Sequence, residues 1–290
     1  MSETFKPLLF TTDWNDEWVE LQKARRHYDD ESAWDIRAKT YPVKHGSHEG
    51  YAERFIELAR LNPGETVLDM GCGTGSLATP LALDGFDVVA CDFSRGMLDV
   101  MEADQRALGI DPVRAIKMSW ADDWTEHGIG PNSVDVAIAS RSIATDNLLD
   151  SLLKLNDVAR RRVCITLPCS SSPRADDRLL EAAGFSGNIG HDFAYAFNIL
   201  VQHGFKPEVA YIENTRIERF ESRDEALGKF AGIVGDAMRG RVSDEALAAI
   251  PEKLDSWLEE NLVERDGAYE LAEPREVVWA FIAWEPRSPA

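Results

Sequence analysis

The sequence predicts an α/β protein built on a doubly wound, mostly parallel sheet of seven strands. Short apolar strand patterns alternate with helical patterns from about residue 50 onwards, as in chains that form parallel sheets. Residues 133–139 form a near-continuous apolar run, which is typical of a central strand covered on both faces. A glycine-rich loop follows the first strand directly, at the end of the sheet where such folds bind ligands.

Seven strand patterns justify the size of the sheet. They are predicted at residues 67–69, 88–92, 113–118, 133–139, 163–167, 208–213 and 276–284. Helical patterns fill most of the intervals, at residues 49–61, 76–83, 94–101, 148–158 and 191–204. Gly85 ends one of these helices and Asn62-Pro63-Gly64 another, so the alternation is bounded by turn residues.

Two further segments lie outside this alternation. Residues 1–50 are expected to form an N-terminal helical cap, because Trp14, Trp18 and Leu21 recur at helical spacing after a capping Asp13. The main domain then covers residues 51–290, and its 170–270 region holds a helical insertion on the substrate side. Helices predicted at 222–238 and 243–262 should pack on the core or close a lid, with a dimer face as the rival interpretation.

The loop after the first strand carries two carboxylates at informative positions. Asp69 precedes the run Gly71, Gly73, Gly75, and Asp92 ends the second strand. Position 76 is Ser, so the run is GxGxG and not the GxGxxG that rests a pyrophosphate on a helix. A negative group at the mouth of the loop repels pyrophosphate and attracts an ammonium, while Asp92 suits the hydroxyls of a ribose. S-adenosylmethionine (SAM), which has no phosphate, satisfies both carboxylates.

The segment Asp69-Met70-Gly71-Cys72-Gly73-Thr74-Gly75 resembles motif I of the class I SAM-dependent methyltransferases, in particular those that modify small molecules. The resemblance covers about residues 50–168 and implies a Rossmann-like fold. It implies that the loop, Cys72 included, belongs to the cofactor site. Residues of the cap and the strand ends are expected to complete that site: Tyr41, Phe93, Ser94, Met97, Trp120, Ala121, Asp122 and Ser140.

These residues have different expected roles. Tyr41 ends a WD…A…Y pattern that begins at Trp34, and it should approach the methionyl part of the cofactor. Phe93, Ser94 and Met97 should cover the adenine face. Ala121 and Asp122 should bind the edge of the adenine, with Asp123 as the alternative acid, and Trp120 should flank the ring. Ser140 should lie beside the sulfonium.

The residues that would bind the methyl acceptor are less clearly indicated by the sequence than those that would bind the cofactor. Arg141 could hold an anionic group of the substrate or form a structural ion pair, and His191 and Tyr195 are further substrate candidates. No catalytic residue is assigned, although His45, His48 and Tyr195 are candidates for acid or base chemistry. No metal site is predicted, because two histidines without a third ligand make a weak pattern.

Charge and cysteine usage limit the partners. Formal net charge is −20, from 51 acidic and 31 basic residues, which disfavours nucleic acid and membrane surfaces. The four cysteines form no CxxC pair and the chain has no 18-residue apolar run, so a cytoplasmic protein without a membrane span is expected. The oligomeric state is left as monomer or homodimer.

The sequence therefore predicts a SAM-dependent methyltransferase that modifies an unidentified small molecule by in-line displacement. An NAD-dependent oxidoreductase on the same fold is one rival, disfavoured by Ser76 and Asp69. A SAM-binding protein without catalytic activity is another. Modification of RNA or protein is weakened by the charge balance but stays open.

Overall fold

The computed structural model describes residues 7–25, 31–39, 49–111, 113–169, 176–186 and 191–287. Strands in these residues are β1 (Thr66–Met70), β2 (Asp87–Asp92), β3 (Arg114–Lys117), β4 (Val134–Ser140), β5 (Ala159–Pro168), β6 (Glu208–Arg216), β7 (Leu262–Arg265), β8 (Ala268–Leu271) and β9 (Arg275–Trp284). Helices are α1 (Leu8–Thr11), α2 (Trp14–Arg25), α3 (Glu31–Ala38), α4 (Glu49–Ala59), α5 (Ala78–Leu83), α6 (Arg95–Ala107), α7 (Leu148–Val158), α8 (Asp177–Ala182), α9 (Asp192–Gln202), α10 (Arg223–Met238), α11 (Asp244–Ala248) and α12 (Ile250–Asn261).

A seven-stranded sheet confirms the predicted fold class. Its strand order is β3-β2-β1-β4-β5-β9-β6, and β1 pairs in parallel with both β2 and β4. The order reverses at β1, so this strand and its neighbours meet at the switch point where open α/β sheets bind ligands. In register, Asp69 of β1 lies beside Ala90 of β2 and Ile138 of β4.

The core explains why these strands are apolar. β4 is buried over most of its length, and α7 covers the sheet with Leu148, Leu152 and Leu155, all buried. The helix α2 adds Trp18, which is fully buried and whose indole Nε1 donates to the carbonyl of Thr145 at 2.7 Å. The predicted capping of α2 is confirmed, since Asp13 Oδ1 accepts from the amides of Asn15 and Asp16. Aromatic residues of the N-terminal segment thus pack on the sheet domain.

The chain divides into two compact units. Of the described residues, those within Met1–Leu167, Asp192–Ile212 and Ala280–Ala290 form the first unit, and those within Pro168–His191 and Glu213–Trp279 form the second. The second unit has its own apolar core, with Leu179 of α8, Phe230 of α10 and Leu254 of α12 buried together. The insertion helices therefore bury their apolar stripes against each other.

Three local differences from the predicted elements have physical causes. The fifth strand begins at Ala159 and not at residue 163, because Arg162 is buried and its guanidinium bonds Glu208 at 3.3 Å. The single helix expected over 243–262 is two helices, with Pro251 in the first turn of α12. The hairpin β7–β8 was not predicted, although its Asp266-Gly267 turn, with φ of 52° and 76°, has the sequence typical of tight hairpins.

No helix in the described ranges combines the length and the apolar character that crossing a bilayer requires.

Candidate functional site

The glycine loop between β1 and α5 uses its three glycines differently. A side chain at Gly71 would lie 2.3 Å from Cβ of Ser142, and one at Gly75 would lie 2.6 Å from Cγ of Met101. Both residues have positive φ, so packing and backbone geometry each require glycine there. The position of a Cβ at Gly73 has no atom within 4 Å. The middle of the loop therefore faces open space, which suits a ligand that lies close to the main chain.

Asp92, at the end of β2, holds this loop in place. Its Oδ2 accepts from the Gly73 amide at 2.8 Å and its Oδ1 accepts from the Ser94 amide at 2.9 Å. Burial raises the pKa of the carboxyl, while these amide bonds oppose that shift. The Phe93 amide also bonds this carboxylate, so three amides occupy most of its roughly four lone-pair positions and leave room for a hydroxyl donor of a ligand.

Asp69, near the end of β1, is the second buried carboxylate. Its side chain accepts from the amide of Ala78, and it is only 2% exposed. Burial and the nearby charge of Asp92 raise its pKa to about 7, although Arg141 acts in the opposite direction. A carboxylate in this environment gains from a cationic ligand, because the cation replaces the solvation that burial removed.

The helix α3 contacts this region through Asp35. Its Oδ1 accepts from Ser94 Oγ at 2.6 Å and from the Gly96 amide at 2.9 Å, and these hydrogen bonds lower the pKa of Asp35. The helices α3 and α6 lie close together, since a Cβ at Gly96 of α6 would be 3.3 Å from Cβ of Ala38 of α3. The WD…A part of the cap pattern therefore joins α3 to the start of α6, next to Asp92. Tyr41, which ends that pattern, lies outside the described residues.

The loop after β3 contains the predicted adenine-side residues. The Ala121 amide donates to Ser119 Oγ at 3.1 Å, and Asp122 Oδ2 accepts from the Ser119 amide at 2.8 Å. Asp123, the alternative acid, caps the following 3-10 helix by accepting from the Thr125 amide at 2.9 Å. Trp120 is half-buried and packs on Trp124, with ring centroids 5.6 Å apart. An adenine contact at Ala121 or Asp122 stays a prediction.

At the end of β4 a chain of hydroxyl groups surrounds Arg141. The buried Tyr51 hydroxyl lies 2.8 Å from both Ser140 Oγ and Thr166 Oγ1, and burial raises the pKa of the tyrosine. Thr166 Oγ1 also accepts from the Arg141 amide at 3.0 Å. The Arg141 guanidinium lies 4.4 Å from the centre of the Tyr51 ring and donates to Ser76 Oγ at 3.2 Å.

Comparisons with known proteins agree with this geometry. Residues 67–160, which include the glycine loop and Asp92, match the family model described as a methyltransferase domain. This segment is a methyltransferase domain. A presumed methyltransferase from Bacillus halodurans shares the fold, with a TM-score of 0.53 and 14% identity, over 82% of this chain and 99% of that one.

Two sequence relatives illustrate how far the similarity extends. A Haemophilus influenzae protein described as uncharacterized is 33% identical over 181 residues, which is 62% of this chain and 66% of that relative. A demethylmenaquinone methyltransferase from Beutenbergia cavernae is 39% identical over 90 residues, or 30% of this chain. The matched part spans only 38% of that enzyme.

Besides Arg141, the structure describes two of the predicted acceptor-side residues, Tyr195 and His191. Tyr195, on α9, is half-buried and packs edge-on against Trp14 and Trp18, at centroid distances of 6.2 and 5.6 Å. His191 belongs to the second unit, where its Nδ1 lies 2.6 Å from the carbonyl of Cys169. These two residues stay candidates, and the other acid or base candidates, His45 and His48, lie outside the described residues.

Other predicted features of the methyltransferase domain have clear environments. Met97 and Cys72 are buried, and Phe93 is half-buried beside Asp92 in sequence. Burial raises the pKa of the Cys72 thiol well above its usual range, so this cysteine is a packing residue of the loop and a poor nucleophile. Within the residues that the structure covers, no group of three or more His, Cys, Asp or Glu side chains could hold a metal ion.

Two residues of the hydroxyl network around Arg141 were not singled out from the sequence, namely Tyr51 and Thr166. Tyr51 lies within the helix predicted at residues 49–61, and a tyrosine on a buried helix face needs a partner for its hydroxyl. Thr166 was included in an apolar strand, where a lone hydroxyl also signals a buried hydrogen bond. Both signals exist in the sequence, but only the fold shows that their partner is the end of β4.

Proposed function

We propose that this chain transfers a methyl group from SAM to a small-molecule acceptor. One observation carries the proposal: two buried carboxylates, Asp69 and Asp92, lie at the carboxyl ends of adjacent parallel strands, next to a loop whose middle glycine faces open space. When bound, SAM supplies a sulfonium that makes its methyl group electrophilic. The residues of the chain bind and orient it, and they exclude water from the reacting centre.

The residues at the site fit the cofactor chemically. Asp92 offers its remaining acceptor capacity to a ribose hydroxyl, and Asp69 offers negative charge to the methionyl ammonium. The proposed cofactor residues are Tyr41, Asp69, Gly71, Cys72, Gly73, Gly75, Asp92, Phe93, Ser94, Met97, Trp120, Ala121, Asp122 and Ser140.

The nicotinamide rival is less well supported by the same observations. A dinucleotide would bring a pyrophosphate to the loop, where Asp69 is fully buried and its carboxylate would repel phosphate charge. Four unpaired cysteines, three of them buried, support a cytoplasmic location as part of this proposal. The net charge of −20 supports a small molecule as the acceptor rather than RNA or a membrane lipid.

The acceptor itself stays open within the proposal. Several relatives are demethylmenaquinone methyltransferases, but the matched segments span 38% or less of each. These matches therefore support SAM as the methyl donor and do not indicate the acceptor. Ser140 ends β4, the strand that pairs with β1, and we propose that the reacting methyl group lies next to it. Tyr195, His191, His45 and His48 are the residues to test if a base is required.

Calorimetric titration with SAM, S-adenosylhomocysteine and NADH tests the function. We expect SAM and S-adenosylhomocysteine to bind and NADH not to bind. Asp92→Ala should weaken SAM binding by about 1.5–3 kcal/mol, roughly 10- to 150-fold, because it removes a charged hydrogen-bond acceptor.

Two variants make that result specific. Asp92→Asn keeps the amide contacts of one oxygen and should weaken SAM binding less than Asp92→Ala. Asp87→Ala, at the exposed start of the same strand, should bind SAM like the wild type. NADH binding with no SAM binding would contradict the proposal, as would unchanged SAM affinity in both Asp92 variants.

A further inference from the structure

We propose that Arg141 binds the carboxylate of the methionyl end of the cofactor, so that Arg141 and Asp69 together recognise an α-amino acid zwitterion. The inference rests on the proposed function and adds a residue that decides which adenosyl compounds bind. A carboxylate could come from the cofactor or from the acceptor, and the position of Arg141 favours the cofactor.

The backbone of Arg141 is held in an unusual conformation. Its φ is 60°, in the left-handed region that residues other than glycine adopt at a cost. Its amide donates to Thr166 Oγ1 at 3.0 Å, and the neighbouring Ser142 Oγ donates to the Met70 carbonyl at 2.7 Å. These contacts at the ends of β1, β4 and β5 fix the direction in which the side chain leaves the strand.

The Arg141 side chain is supported by uncharged groups. Its guanidinium stacks over the Tyr51 ring at 4.4 Å, and the Tyr51 hydroxyl is fixed by Ser140 and Thr166. Its Nη2 donates to Ser76 Oγ at 3.2 Å. Several arginines of the sheet domain pair with acids, as Arg160 does with Asp135 at 2.7 Å. Arg141 makes no such pair among the described residues, so its bidentate face is available for a carboxylate.

Two neighbours indicate that this carboxylate belongs to the cofactor. Ser76 directly follows the last glycine of the loop, so the guanidinium lies against the loop that would receive the methionyl group. Arg141 is also close enough to Asp69 to affect its pKa. A positive and a negative side chain next to each other match the opposite charges of a free amino acid group. In a chain of net charge −20, a carboxylate needs such a local cation to bind.

Titration with two adenosyl compounds tests the assignment. S-adenosylhomocysteine carries the amino acid group and methylthioadenosine lacks it. We expect Arg141→Gln to weaken S-adenosylhomocysteine binding by about 10- to 100-fold, the range for a lost charged hydrogen bond, and to leave methylthioadenosine binding unchanged. Arg141→Lys should give an intermediate loss, since lysine keeps the charge but cannot bind both carboxylate oxygens through a planar fork.

Arg106→Gln is the matched control, because it removes the same charge from the exposed far end of α6. It should bind both compounds like the wild type. Unchanged S-adenosylhomocysteine affinity in Arg141→Gln would overturn the assignment and point to the acceptor carboxylate. Equal losses for both compounds would overturn it in favour of a structural role. If the wild type binds neither compound, the proposed function itself fails, and this inference fails with it.

Discussion

At the scale of single residues, the candidate site contains two buried carboxyl groups, a feature that protein interiors rarely have without a compensating partner. Asp69 is 2% exposed and Asp92 is 5% exposed, and burial raises the pKa of each. Buried carboxylates cost stability when they ionise, unless a cation or hydrogen bonds compensate. The backbone amides of the glycine loop compensate Asp92 in part. The remaining cost is consistent with a site that is completed by its ligand.

The pH dependence of stability should reveal Asp69. Its pKa is raised from 3.8 to about 7 in the folded protein, so the folded state favours the neutral carboxyl. The favourable contribution of the neutral carboxyl to the free energy of unfolding is complete below the unfolded pKa of 3.8, and it is lost as the pH rises through about 7. The free energy of unfolding of Asp69→Asn minus that of the wild type should therefore rise by roughly 3 kcal/mol from pH 5 to pH 8. Urea denaturation at both pH values measures the difference.

Asp87→Asn is the control for this experiment, because Asp87 is exposed at the start of β2. Its stability relative to the wild type should be the same at both pH values. Asp69→Asn should also bind SAM more weakly, since it removes the charge that attracts the ammonium. A stability difference for Asp69→Asn that does not change with pH would show that Asp69 is ionised in the folded protein throughout this range.

At the scale of elements, the sequence predicted most of what the sheet domain contains. α7 occupies the predicted residues 148–158, and Ser94 caps α6 by accepting from the Met97 amide at 3.2 Å. These elements were predictable because capping and apolar periodicity are local properties. The contact between α3 and α6 was not, because it depends on which helices the fold brings together. Asp35 joins them by accepting two hydrogen bonds from the first turn of α6.

We expect Asp35→Ala to release α3 from α6. Ser94 Oγ and the Gly96 amide would lose their acceptor, and the helix would open more often. Trypsin should then cleave after Arg37, which is exposed near the end of α3, several times faster than in the wild type. Mass spectrometry of timed digests identifies the site. Asp99→Ala, which removes an exposed ion pair with Arg95 on α6, should digest like the wild type. Equal cleavage rates in the two variants would contradict the role of Asp35.

At the scale of the whole molecule, the chain forms two units with separate apolar cores. The sequence showed the apolar stripe of α12 but not its destination. Ile250, Leu254 and Leu258 are buried against α8 and α10 within the second unit. A stripe of this kind fits a core, a lid or a dimer face equally well, since its pattern reports only that one side of the helix is covered.

Leu254→Ala tests the second core. Leu254 is fully buried, and its truncation should cost about 2–5 kcal/mol of the free energy of unfolding of its unit. Hydrogen exchange followed by mass spectrometry should show the largest increase in residues 213–279. Leu83→Ala provides the comparison, since Leu83 is 53% exposed and its loss should have little effect. A variant with exchange rates like the wild type would show that Leu254 is not part of a stabilising core.

The sequence by itself determined the fold class, the order of the strands along the chain and the loop that identifies the domain. These features follow from local periodicity and from glycines and acids at fixed spacing, which are properties of neighbouring residues along the chain. Only the tertiary structure decided which side chains meet. Tyr51, Thr166 and Arg141 are far apart in the chain and become neighbours only because parallel strands end at the same edge of the sheet.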